Sequence, residues 1–197
     1  MKIINKIRNI FYKSCDGFSL IEISIVLLII GIIAGSALKG RDIIESAQIR
    51  SLVGDIECIN LAYTNYISTY GSLPGDDKNA SDRFGSNIQN GDGNGRFSKD
   101  DISKIIIHLH AAGLLESDEI KKPKIGGNLD IILENNKAKI RLSEFGDGIL
   151  SKKQAINIQS KINDSSEINP KNVEFSPSIN DANENSKIIL KITLGNN

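Results

Sequence analysis

Glu22 is the only charged side chain in an otherwise apolar run, residues 18–38, FSLIEISIVLLIIGIIAGSAL. A carboxylate among aliphatic side chains in lipid costs about 2.5–3.5 kcal/mol at mid-depth and less near an interface. Two arrangements relieve that cost. The acid snorkels to the interface, or an opposite charge pairs with it. A second set of donors lies in Asn90-Gly-Asp92-Gly-Asn94-Gly95-Arg96-Phe97-Ser98-Lys99-Asp100-Asp101. Side-chain oxygens fall at relative positions 1, 3, 5 and 12, with Gly at 6, a backbone carbonyl at 7 and an apolar residue at 8. That is the spacing of a calcium loop, and its candidate ligands are Asn90, Asp92, Asn94, Arg96 (through its carbonyl) and Asp101. The fit is imperfect. Asn stands at the first position, Asp replaces the usual bidentate Glu at the last, and no helical pattern precedes the loop. A metal-free Gly-Asn-Asp turn therefore stands equally beside the calcium loop.

The remaining composition points away from enzymes. Twenty-four basic and 24 acidic residues give a net charge of zero, against the basic excess that nucleic-acid binding requires. There is no Trp, and aromatics make up 5% of the chain, so stacking platforms are not expected. His108 and His110 are two apart, point to different faces and are read as surface or edge histidines. Adjacent acids such as Asp76-Asp77 read as solvated or structural. No nucleophile motif, phosphate cradle or His-centred triad is present, and no catalytic residue is assigned.

The elements that must position these residues begin with the apolar run itself. As a helix, 21 residues rise roughly 31 Å, enough to cross a hydrocarbon core. Ahead of it Lys2, Lys6, Arg8 and Lys13 stand against Asp16, a net +3 that predicts a cytoplasmic N-terminus and the bulk of the chain on the far side. The small residues Ala34 to Ala37 admit a cleaved secretory signal as an alternative, which the length of the run and its early acid resist. Ile49, Leu52, Val53, Ile56, Ile59, Tyr63, Tyr66, Ile67 and Tyr70 recur at helical steps, with Arg50, Asp55, Glu57, Asn60 and Asn65 on other faces. One long helix is expected over 18–70, its first half in lipid and its second against a head.

Within the head, 71–98 reads as a Gly/Asp/Asn-rich loop. Ser98 and Asp101 form a capping box opening a helix over 99–115. Residues 128–134 and 137–143 alternate around Asn135-Asn136, a hairpin signal. A further helix is expected over 151–162 after the Gly146-Asp147-Gly148 turn, then a polar surface excursion over 163–186 and a closing strand over 187–194. Cys15 precedes the apolar run, and Cys58 is expected to pack under the head.

The string Gly17-Phe18-Ser19-Leu20-Ile21-Glu22, followed by the long aliphatic helix, resembles the signal of type IV prepilins and type II secretion pseudopilins. The resemblance covers roughly the first 70 residues. It implies cleavage by a prepilin peptidase after Gly17, methylation of the new terminal amine of Phe18, and pairing of Glu22 with a neighbouring subunit's terminal amine. It also implies a pilin-like α+β fold, a long N-terminal helix packed on a small antiparallel sheet head. Its domains are a leader over 1–17, a transmembrane half over 18–38, an amphipathic half over 39–70 and the globular head over 71–197. Cleavage would leave 180 residues with net charge −3 and Cys58 as the lone thiol. Two departures stand out. Lys39 lies where many type IV pilins have Pro, and the C-terminal disulfide loop common in pilins is missing. For type II pseudopilins the family also implies a calcium site in the head.

The expected function is a structural subunit of a type IV pilus or type II secretion pseudopilus. It would sit in the bacterial inner membrane as a single pass with a periplasmic head, then in a filament. Its partners would be the prepilin peptidase and other pilin or pseudopilin subunits. The alternative is a membrane-anchored periplasmic protein that binds calcium or another ligand without polymerising.

Overall fold

The computed structural model describes residues 17–144 and 148–195. Residues 1–16, which hold Cys15 and all but Gly17 of the expected leader, and the Gly146-Asp147 part of the expected turn lie outside the described residues. The chain divides into two units, Met1–Ile43 and Ile44–Asn197.

Helix α1 runs Leu20–Tyr70. It opens on a Ser-x-x-Glu arrangement: the Ser19 backbone N–H donates to Glu22 Oε2 at 2.9 Å, and the Ile21 N–H reaches Ser19 Oγ at 3.4 Å. Helix starts leave backbone donors without partners, and these two bonds fill that need. In the first unit, an 18-residue stretch of α1 is apolar enough to cross a membrane, and none of it is buried. In the second unit the expected stripe is found inside: Ile49, Leu52, Val53, Ile56, Ile59, Tyr63 and Tyr66 are all buried. Gly71 ends the helix in the left-handed region, its N–H bonded to the Ile67 carbonyl at 2.9 Å.

Two expectations for this helix are corrected. Asn60, which the periodicity sets off the apolar stripe, is nonetheless only 3% exposed. Its amide donates to the Glu167 carbonyl (2.7 Å) and its oxygen accepts from the Gly195 N–H (3.0 Å), so it ties the helix to two distant segments. Cys58, expected under the head, is exposed.

A short helix α2, Ala80–Phe84, interrupts the 71–98 loop. Helix α3, Lys99–Ala111, has the expected capping box of Ser98 and Asp101. It stops short of 115 because the Gly113 N–H bonds the His110 carbonyl (2.8 Å) and the Leu114 N–H bonds the Leu109 carbonyl (3.0 Å). Those paired bonds, with Gly113 at φ +71°, terminate the helix.

Strands β1 (Asn128–Glu134) and β2 (Lys137–Ser143) form the expected hairpin, with Asn135 and Asn136 at φ 52° and 60°. Two consecutive positive φ values match the two-residue turn whose twist suits a hairpin. Helix α4, Lys152–Asn163, follows, with its own capping box of Ser151 and Gln154. Strand β3, Val173–Ser176, lies inside the segment expected to be only a surface excursion. Strand β4, Ile189–Thr193, is the expected closing strand. The sheet order is β1-β2-β4-β3, antiparallel throughout.

One hydrophobic cluster joins the second half of α1 to the head, including Leu52, Ile56, Leu109, Ile140, Ile158 and Ile192. The other face of the sheet carries a charge ladder. Lys139 bonds Glu174 (2.8 Å) and Glu134 (3.0 Å), Lys191 bonds Glu134 (2.6 Å), and Arg141 pairs with Asp130.

Candidate functional site

Beyond Tyr70 the chain folds back over α3, and buried polar groups hold it there. Asp77 is fully buried; it accepts from the Tyr66 hydroxyl at 2.8 Å and from the Asn79 N–H at 2.9 Å, and it pairs with Arg83. His108 is also fully buried, which corrects the expectation of a surface histidine. Its Nδ1 accepts from the Gly75 N–H at 2.9 Å and its Nε2 lies 2.8 Å from the Gln89 carbonyl, an arrangement that fits the neutral ring with the proton on Nε2. Burial pushes its pKa below 6.5. The backbones meet without room for side chains. A Cβ on Gly75, at φ +91°, would lie 2.2 Å from the Asp101 carbonyl oxygen, and one on Gly91 would lie 2.3 Å from the Asp76 backbone.

This clasp brings three carboxylates together. Oxygens of Asp76, Asp92 and Asp101 lie within 4.8 Å of one another. Asp76 Oδ1 accepts from the Gly93 N–H (2.7 Å) and the Asn94 N–H (3.2 Å), and Oδ2 from the Gly95 N–H (2.8 Å). Burial pushes the Asp76 carboxyl up, reinforced by its hydrogen bond with Asp92; the same bond holds Asp92 below the usual carboxylate range. Asp101 Oδ2 caps α3 through the Ser98 N–H and hydroxyl (2.9 and 2.6 Å). Lys104 lies 3.8 Å from Asp101 and pairs with Asp100. Three hard oxygen donors from three places in the chain could hold a metal ion.

The structure thus brings Asp92 and Asp101 together and adds Asp76, which the spacing did not offer. Asn90 is turned elsewhere: its oxygen accepts from the Ser81 N–H (2.7 Å) and its amide donates to Ser81 Oγ (3.0 Å). Asn94 donates to Asp92 Oδ2 at 2.6 Å, and its own oxygen accepts from the Arg96 N–H at 2.7 Å. The signal for Asp76 was the acid pair after the Pro74-Gly75 turn, 16 residues before Asp92.

The second candidate region is the start of α1. Gly17 and Phe18 precede it, both exposed, with Phe18 at 80%. Glu22 stands in its first turn, at the foot of a run of exposed Ile, Leu and Val side chains.

Residues 12–38, the stretch that holds Gly17 to Glu22, match the prokaryotic N-terminal methylation motif. No curated protein matches the sequence. Among solved structures, the major type IV pilin PilA1 from Clostridium difficile is similar, at 18% identity and a TM-score of 0.45, over 78% of this chain and 98% of that one.

Proposed function

We propose that the chain is a structural subunit of a type IV pilus or a related secretion pseudopilus. It is cut after Gly17 by a prepilin peptidase, methylated on Phe18 and polymerised through α1. The observation that carries this reading is a coincidence at one helix start: the methylation motif, an acid in the first turn and an unburied apolar stretch of membrane-spanning length. Exposed aliphatic surface on that scale needs lipid or other helices to cover it. In the bilayer the subunit sits with its N-terminus cytoplasmic and its head outside. In the filament, Glu22 meets the terminal ammonium of a neighbour, because a buried charge is tolerated once paired.

Mass spectrometry of the native polypeptide tests the first step. The expected mass lacks Met1 to Gly17 and carries one methyl group. Glu22→Ala is expected to leave cleavage intact and abolish filaments on electron micrographs. An uncut chain, or filaments from the variant, would sink the proposal.

The acidic cluster supports a second element, calcium bound by Asp76, Asp92 and Asp101. An anchored calcium-binding protein that never polymerises is the competing reading, and the filament assay separates the two.

A further inference from the structure

A groove of about 420 Å³ is lined by the second half of α1, by α3 and by the segment that follows it, with Ile59, Ile106, Leu115 and Ile120 among its apolar walls and Cys58 beside them. Asp55, Glu116, Glu119 and Lys121 also line it. Lys121 pairs with Glu116 at 3.1 Å, so Asp55 and Glu119 are in excess of the one base among the described lining residues. An adjoining concavity shares Ile106, Glu119 and Ile120 and adds two acids, Asp118 and Asp130, against one base, Lys99. The groove therefore suits an apolar ridge flanked by cations.

The same chain carries such a ridge just past the apolar run. Ile43 and Ile44 are 70% and 60% exposed. Helical spacing sets Lys39 one turn before Ile43 and Arg41 three residues before Ile44. The nearby acids Asp42 and Glu45 are three apart and share a different side of the helix, where Glu45 lies 3.7 Å from Lys153.

We propose that Ile43 and Ile44 of one copy seat in this groove of a second copy, with Lys39 and Arg41 against Asp55 and Glu119. This rests on the assembly reading above and names its contact. Ridge and groove are different patches of one chain, so the contact is head-to-tail and, repeated, generates an open filament instead of a closed dimer.

Cys58 supplies the test. The full-length chain is made as Cys15→Ser with Ile44→Cys, in cells that assemble filaments, and oxidised in place. Disulfides between the thiol introduced at position 44 of one subunit and Cys58 of the next are expected to give a ladder running beyond dimer on non-reducing gels. Adding Cys58→Ser leaves nothing larger than dimer. Ile43→Cys in place of Ile44→Cys is expected to give the same ladder. Glu119→Lys should lower its yield about fivefold, in line with an exposed ion pair, and adding Arg41→Glu should restore it. Intact filaments with no species beyond dimer in either cysteine variant overturn the contact alone, as does a Cys58 adduct to any other polypeptide in place of the ladder. Absence of filaments from the unmodified chain sinks the assembly reading and this contact with it.

Discussion

His108 shows how one side chain fastens a long loop. It accepts from Gly75 and binds the Gln89 carbonyl, so both ends of the segment that carries Asp76 and Asp77 converge on one ring. His108→Leu leaves that N–H and that carbonyl without partners in the interior, at about 1–3 kcal/mol each. The expected outcome is a chain destabilised by about 2–6 kcal/mol in thermal or urea unfolding. The pH dependence has a definite sign. Burial depresses the folded-state pKa, so as pH falls below 6.5 the unfolded chain takes up the proton first. Stability present above that value should be lost toward lower pH, and His108→Leu should flatten the slope. The sequence separates the faces of His108 and His110 but cannot say which is covered, because the covering loop comes from 33 residues upstream. Asn60 was hidden for the same reason: its partners, Glu167 and Gly195, lie more than 100 residues away.

Elements governed by local chemistry were the legible ones. The capping box at Ser98, read from the sequence, and the one the structure adds at Ser151 rest on side-chain-to-backbone bonds within four residues. The helices they open start within a residue of where the spacing put them, though α3 ends at Ala111 and not at 115. The Asn135-Asn136 turn is equally local. Each Asn adopts a left-handed backbone, which for an L-residue costs about 1–2 kcal/mol, less for Asn, and nothing for Gly. Asn136→Gly is therefore expected to stabilise the chain by about 0.5–1 kcal/mol and Asn136→Val to destabilise it by about 1–2 kcal/mol, read from melting curves. Strand β3 escaped because it has four residues between Pro170 and Pro177, too short for alternation to register. Only pairing with β4 makes Val173 and Phe175 inward-facing.

At the scale of the whole molecule, the acidic cluster is a product of folding. Asp76 arrives from the loop after α1, Asp92 from the Gly-rich turn and Asp101 from the first turn of α3. The calcium-loop spacing captured two of these because they lie in one stretch of twelve; the third needed the clasp around His108. If calcium binds there, the full-length chain in detergent should melt higher in its presence, by about 2.7 kcal/mol of stability at a hundred times the dissociation constant. Asp92→Asn should abolish that shift while relieving repulsion in its absence. No shift in the unsubstituted chain would remove calcium from the account.

On the assembly reading proposed above, the bond between Ser19 and Glu22 bears on the subunit before it joins a filament. The Glu22 carboxylate already accepts a hydrogen bond from the Ser19 N–H at the start of its own helix. A hydrogen bond to a charged group offsets part of what a carboxylate loses on leaving water. On that reading, recruitment is then a swap of one acceptor's partner, the Ser19 N–H exchanged for a neighbour's terminal ammonium.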